Sequence, residues 1–332
     1  MSGQIIHGDC LEVMRGMASD SVDLVFGSPP YEAARTYGID FSLKGQDWVD
    51  WMVERMVEMS RVSKGLVAMV VEGQTRQFRW SAAPVLLMAD LHRKGLHLRK
   101  PPAFQRVGIP GSGGPDWLRN DYEFIVCCTT GGKLPWSDNT AMGHPPKWAP
   151  GGEMSNRQTD GSRVNQWGHS GRETQRNVDG ELIQKHATTL PPVKPFGKGG
   201  FFPETRNGDA VRRTKVQTRR KPDGTRPRDG VYEMPVKANP GNVIACIVGG
   251  GVMGDRLCHE NEAPFPESLA EFFVRSFCPE GGTVLDPFSG SGTTAAVAER
   301  WGRNWIAIDV RESQVELTKR RTSKAAQTLL GA

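Results

Sequence analysis

The sequence predicts an α/β fold, a mostly parallel sheet covered on both faces and interrupted by a long, loop-rich insertion. Three observations carry that expectation. Apolar runs without polar alternation, the pattern of strands buried on both faces, recur at both ends of the chain between segments of helical period. From Lys133 to Pro240 the pattern dissolves into Gly, Pro, Asn, Gln, Arg and Lys with isolated aromatics. That stretch also holds 19 Lys and Arg against 11 Asp and Glu, a local charge of +8 within a chain of net +5, so the remainder stands at −3.

In chain order, Gln4 to His7 is a short apolar run, Cys10 to Met17 has helical period, and Ser21 to Gly27 reads as a buried strand ending at a Pro pair. Gln46 to Val62 places Trp48, Trp51, Met52, Met56 and Met59 at helical spacing, and this stripe is expected to be core rather than a cofactor contact. Residues 65–71 form a second buried strand, Ala83 to Lys94 a helix and Asp121 to Thr129 a third strand. After the insertion, 242–248 is a strand, Glu267 to Phe277 a helix and 283–288 a strand running into a Gly-rich turn. Thr293 to Trp301 then reads as a helix, 304–310 as a strand and Glu312 to Leu330 as a closing helix. Both ends therefore belong to one domain, 1–132 with 241–332, and 133–240 is a separate insert.

At 332 residues, with 37% hydrophobic and 24% charged residues, 39 Gly and 23 Pro, the chain is globular and long enough for a sizeable core. The first residues lack the basic and apolar regions of a secretory signal, and no run of about 18 apolar residues occurs, so a cytoplasmic protein without membrane contact is expected. Six scattered cysteines form no C-x-x-C pair and no zinc-ligand spacing with His, which points to reduced core thiols and no metal. The concentrated basicity suits a polyanion, because neutralising phosphates releases counterions.

Two loops carry chemistry. The first is Asp286, Pro287, Phe288, Ser289, Gly290, Ser291, Gly292, Thr293 and Thr294, a strand entering a Gly-rich turn and a helix, where backbone and helix N-terminus can approach a ligand. Gly290, Gly292 and Ala295 also fit a dinucleotide fingerprint, and Asp309, seventeen residues past Gly292, is placed to accept from ribose hydroxyls or else to cap a helix. The second is Ser28, Pro29, Pro30 and Tyr31, at the carboxyl end of a buried strand. An exocyclic base nitrogen is a poor nucleophile because its lone pair is delocalised. Methylating it calls for acceptors on its N–H groups and a clamp on the extruded base. The Ser28 hydroxyl and Pro29 carbonyl are candidate acceptors, the two prolines stiffen the loop, and Tyr31 is a candidate stacking platform.

Together these loops resemble the amino-group DNA methyltransferases, whose cofactor motif is D-P-F-x-G-S-G-T and whose catalytic motif is D/N/S-P-P-Y/F. The order, with the catalytic loop first, a basic insert next and the cofactor loop last, is similar to the β group. The resemblance covers roughly 1–130 and 240–325. It implies a circularly permuted, Rossmann-like class I methyltransferase sheet, S-adenosylmethionine as cofactor, double-stranded DNA as partner and the insert as target recognition domain. It carries Asp9 and Cys10 over as adenosyl contacts, Phe265 and Pro266 as packing against the cofactor, and Asp286 as lying near the methionine amino group. Within the insert, Arg212, Arg213, Lys215, Arg219, Arg220 and Lys221 are the candidate phosphate contacts. A homodimer is an expectation from the family alone.

Cytosine C5 methylation needs a cysteine nucleophile, usually in a Pro-Cys pair, and none occurs. The expected product is N6-methyladenine in site-specific DNA modification, with cytosine N4 as the alternative, since Ser28 can accept from either amine. An RNA substrate, a catalytically silent DNA-binding protein and a nicotinamide-dependent dehydrogenase rank behind. The dehydrogenase reading leaves Ser28 to Tyr31 and the basic insert without a purpose.

Overall fold

The computed structural model describes residues 2–32, 41–108, 116–144, 237–248 and 253–330. The chain divides into two compact units, Met1–Gly143 with Asn239–Ala332 and, separately, His144–Ala238. Residues 133–143 thus cluster with the first unit, and Asp138 N–H donates to the Ser276 carbonyl there. Of the second unit only its ends are described, where His144 and Ala238 form an antiparallel bridge.

The first unit runs β1 (Gly3–His7), α1 (Cys10–Arg15), β2 (Val22–Gly27), α2 (Gly45–Val62) and β3 (Ser63–Val71), then a short hairpin, β4 (Thr75–Arg76) and β5 (Arg79–Trp80). It continues with α3 (Ala83–Arg93), β6 (His97–Leu98), β7 (Ala103–Val107) and β8 (Tyr122–Thr129). Beyond the second unit come β9 (Val243–Ile247), a 3-10 turn at Arg256–Glu260, α4 (Glu267–Phe277), β10 (Thr283–Asp286), α5 (Thr293–Arg300), β11 (Asn304–Asp309) and α6 (Glu312–Leu330).

The main sheet is ordered β1-β11-β10-β2-β3-β8-β7-β9, with β6 also on β8. β1, β11, β10, β2 and β3 pair in parallel, so their carboxyl ends open on one side. β8 runs antiparallel to β3 and to β7, and β9 lies parallel to β7. The expected α/β architecture with a mostly parallel sheet is therefore present, and the antiparallel β8 makes the sheet mixed.

Period-two alternation explains how one apolar run serves two cores. In β2, Val25 faces Trp48, Met52, Met56, Leu87 and Leu91 of α2 and α3, while Leu24 and Phe26 face Leu269, Phe273 and Val297 of α4 and α5. In β3, Val67, Met69 and Val71 join the first core and Leu66, Ala68 and Val70 the second. β10 stops at Asp286, short of the expected 288, because Pro287 has no N–H for the ladder. β6, β7 and the β4–β5 hairpin were not anticipated, since β7 is only partly buried and carries Gln105 and Arg106 among its apolar residues.

Candidate active site

Loops after five parallel strands line one cleft of about 560 Å³, at the edge where open α/β sheets build their sites. β2 supplies Ser28, Pro29, Pro30 and Tyr31; β1 supplies Asp9 and Cys10; β10 supplies Pro287, Phe288 and Gly290; β11 supplies Asp309; β3 supplies Glu72. Phe265 and Pro266, before α4, complete the set of expected residues that line it. Asp286, Ser289, Ser291, Gly292, Thr293 and Thr294 are buried behind this wall instead. Arg212, Arg213, Lys215, Arg219, Arg220 and Lys221 lie outside the described residues.

In the Ser28–Tyr31 loop, the Tyr31 hydroxyl donates to Glu123 Oε2 at 2.7 Å, and Arg106 pairs with the other Glu123 oxygen at 3.2 Å. Ser28 Oγ has one proton and two acceptors in reach, the Val70 carbonyl at 3.2 Å and the Tyr31 oxygen at 3.3 Å. With that proton on Val70, both Ser28 lone pairs remain available to an incoming N–H. The Trp48 indole, fully buried in α2, donates to the Pro30 carbonyl at 2.9 Å and holds the loop from beneath. Trp48→Phe keeps most of the packing and deletes that bond, so it is expected to cost about 1 kcal/mol in urea unfolding. An unchanged midpoint would remove the bond from this account.

Asp9 caps α1, accepting from Leu11 N–H at 2.8 Å and Glu12 N–H at 3.4 Å, and pairs with buried Arg55 at 3.0 Å. Arg55 lies 4.0 Å over the Trp51 ring. Trp51 lines the cleft with Phe41 and Phe288, their ring centroids 5.0 and 5.8 Å from its own. This corrects the expectation that the whole Trp and Met stripe of α2 is core. Trp48, Met52, Met56 and Met59 are buried, but Trp51 sits at the stripe's edge and forms an aromatic wall of the cleft. Burial pushes the Cys10 thiol up to about 12, so it is a neutral packing group.

The Gly-rich turn is fixed by close approach. Gly292 has φ of +73°, and a Cβ there would lie 2.8 Å from Thr318 of α6. Asp309 accepts from Gly290 N–H and from Arg311 N–H, each at 2.9 Å, which leaves lone pairs on both oxygens. Burial raises its carboxyl, opposed by those two N–H groups. Asp286 accepts from Phe288 N–H at 3.1 Å, but its Oδ2 is buried without a hydrogen-bond partner among the described residues. Burial pushes this carboxyl up to about 7, with the Thr294 hydroxyl and Phe288 N–H pulling it back. Beneath the turn, buried Arg321 donates to the Ser291 carbonyl, Ser291 Oγ and Thr293 Oγ1 and meets Glu267 at 2.5 Å; Arg300 holds the other Glu267 oxygen at 2.6 Å.

Sequence reasoning did not find Glu72, Glu123, Arg106 or Asn261, all lining the cleft. Glu123 and Arg106 come from β8 and β7, whose pairing brings residues 17 apart to one spot. Glu72 directly follows β3, and strand-end position was the available signal. Burial pushes Glu72 up to about 7, opposed by its bonds from Gly73 N–H and the Trp80 indole, with the Glu123 carboxylate adding to the rise. Among the described residues no group of His, Cys, Asp and Glu is placed to hold a metal, and no helix is long and apolar enough to cross a membrane.

The cleft thus joins the Ser-Pro-Pro-Tyr loop to the Gly-rich turn at the carboxyl edge of the parallel strands. A family described as DNA methylase, N6/N4 type, matches residues 22–320, and the chain belongs to that family. The type II methyltransferase M.ScaI of Streptomyces caespitosus is 37% identical over 75 residues, 23% of this chain and only about a quarter (24%) of that protein. The DNA adenine methyltransferase YhdJ of Escherichia coli (strain K12) is 22% identical over 97% of this chain and 83% of its own. Among solved structures, the PvuII DNA methyltransferase (cytosine-N4-specific) shares the fold with a TM-score of 0.59 and 16% identity, over 98% of this chain and 91% of its own. TTHA0409 of Thermus thermophilus, complexed with S-adenosyl-L-methionine, does so with a TM-score of 0.50 and 19% identity, over 97% and 95%.

Proposed function

We propose that the chain transfers a methyl group from S-adenosylmethionine to the exocyclic amine of an extruded base in double-stranded DNA, with adenine N6 as the target. The observation that carries this reading is the convergence of Ser28 to Tyr31 and of Phe288, Gly290, Asp309 and Asp9 on one cleft. The similarity to YhdJ along nearly the whole chain supports adenine.

The residues present fit S-adenosylmethionine. Asp309 retains lone pairs for ribose hydroxyls, and Phe41, Trp51 and Phe288 offer apolar surface to a purine. The bound cofactor supplies an electrophilic methyl on a sulfonium. The chain's part is positioning: Ser28 Oγ and the Pro29 carbonyl accept from the amine and turn its lone pair out of conjugation, while Tyr31, tied to Glu123, holds the base. Glu72, titrating near neutrality beside this loop, is placed to take up the proton the amine releases. Single-turnover rates are then expected to rise through pH of about 7, where Glu72 ionises, and Glu72→Gln should lower the rate and flatten the profile. A rise that survives in Glu72→Gln would assign the proton to another group.

One observation favours cytosine N4 as the second reading. Arg106 lines the cleft, and its Nε–H is buried without a hydrogen-bond partner among the described residues. A cytosine carries a ring carbonyl that such a donor can meet, and adenine has none. Incubating the purified protein with unmethylated DNA and S-adenosylmethionine, then resolving the nucleosides by mass spectrometry, decides. N6-methyladenine is the expected product, N4-methylcytosine keeps the chemistry and changes the base, and no methylated nucleoside overturns the reading.

A further inference from the structure

Three of the four non-glycine residues with positive φ among the described residues fall in one short segment: Gln77 at +48°, Phe78 at +63° and Ala82 at +59°. Gln77 and Phe78 form the two-residue turn between β4 and β5, where Thr75 pairs with Trp80 and Arg76 with Arg79. Such turns are ordinarily built from Gly, Asn or Asp, which tolerate left-handed backbone. Here the second turn position is instead a phenylalanine that is 79% exposed, flanked by exposed Arg76 and Arg79. Neither the core nor the catalytic loop uses that ring.

The base of the hairpin is tied to the residues of the cleft's rim. The Trp80 indole donates to Glu72 Oε1 at 3.1 Å, and its ring lies 6.1 Å from that of Phe124 at an interplanar angle of 23°. Ser81 N–H donates to the Gln74 carbonyl at 2.9 Å, and Gln74 N–H returns a bond to Ser81 Oγ at 3.1 Å. A Cβ at residue 73 would stand 2.4 Å from Trp80 Nε1, so only Gly73 lets the indole tuck against Glu72. Since Glu72 lines the cleft alongside Ser28, the tip is a preformed projection from the cleft's rim.

We propose that this hairpin is a duplex-engaging finger, in which Phe78 enters the base stack next to the nucleotide drawn into the cleft and Arg76 and Arg79 meet the flanking phosphates. The inference rests on the reading of the cleft as a base-methylating site. Extruding a base leaves a gap in the stack and forfeits stacking energy, and an apolar side chain inserted between base steps is a known way to offset that loss. An aromatic ring stacks on any base, so the finger contributes to extrusion rather than to sequence readout. Its positive flanks suit a polyanion rather than an apolar protein surface.

The test uses oligonucleotide duplexes carrying the sequence that the native protein methylates, with the target base either paired or mismatched. A mismatched base is already partly unstacked and needs less help to leave. Phe78→Ala is expected to slow single-turnover methylation about tenfold or more on the paired duplex and no more than about threefold on the mismatched one, as the loss of one base–aromatic stack would. Phe78→Trp should retain the native rate on both, and the melting temperature of both variants should stay unchanged because the side chain is exposed. Equal rates for Phe78→Ala and native protein, or equal losses on the two duplexes, overturn the finger. So does sedimentation in which Phe78→Ala turns a dimer into a monomer while the ratio between duplexes stays native, which would make the ring an interface between copies. A native protein that methylates no DNA defeats the reading of the cleft itself, before any variant is made.

Discussion

Ser28→Ala is expected to lower single-turnover methyl transfer by about 10²–10³-fold, the scale on which removing one preorganised hydrogen-bonding group from a reacting centre acts. The argument is geometric. The Ser28 proton is accounted for by the Val70 carbonyl, so the oxygen presents acceptors to the amine, and Ala presents nothing in their place. The Pro30 carbonyl is directed at the buried Trp48 indole, from which it accepts. The Pro29 carbonyl remains, which is why the loss stops short of complete. Cofactor affinity should be unchanged, since Ser28 is not among the groups fitted to S-adenosylmethionine. A loss under about threefold would place the reactive geometry on Pro29 and Tyr31 alone, far below the range for such a group.

Arg321→Met is expected to destabilise the fold by about 3–5 kcal/mol, the range for breaking a buried ion pair by removing one partner. The Arg321 side chain is 1% exposed and ties the Gly-rich turn, through Ser291 and Thr293, to Glu267 at the start of α4. Its loss leaves those hydroxyls and one carboxylate oxygen buried without their donor. Burial pushes the Glu267 carboxyl up, and the bonds from Arg321 and Arg300 more than offset this, holding it below the ordinary value of 4.5. A carboxyl held low stabilises the fold above its unfolded value and loses that contribution as pH falls through the folded one. Urea titrations should therefore show the difference between native and Arg321→Met shrinking as pH drops below about 4.5. A gap that stays constant in acid would mean that packing, not charge, is what Arg321 contributes.

Much of the architecture could be read from the chain because its strongest signals are local. Helix α4 occupies the expected residues, Glu267–Phe277, since Pro266 starts it and an apolar face runs its length. β2, β3, β10 and β11 were legible because strands buried on both faces leave uninterrupted apolar runs. β7 was not, because its own residues alternate only weakly and one of its two neighbours, β9, comes from far along the chain. The same limit applied to the site. Ser28 to Tyr31 and the Gly-rich turn are contiguous motifs, and their chemistry could be argued from residue order. Glu123 with Arg106, and Arg321 with Glu267, exist only once strands and helices have come together, and no spacing rule joins residues 17 or 54 positions apart. Trp51 was misjudged for a related reason: helical period shows which residues share a stripe, but not where the core beneath that stripe ends.

The sheet order has a consequence for how the protein comes into being. β10 and β11, from the last fifth of the sequence, insert between β1 and β2 from its first tenth. A chain leaving the ribosome therefore carries its N-terminal strands as an open ladder whose central places are vacant, with the basic segment already synthesised. Pairings so distant in sequence form slowly, and the waiting strand edges are prone to wrong partners. The cleft comes into existence last, when Asp286 and Asp309 arrive beside Gly27 and His7.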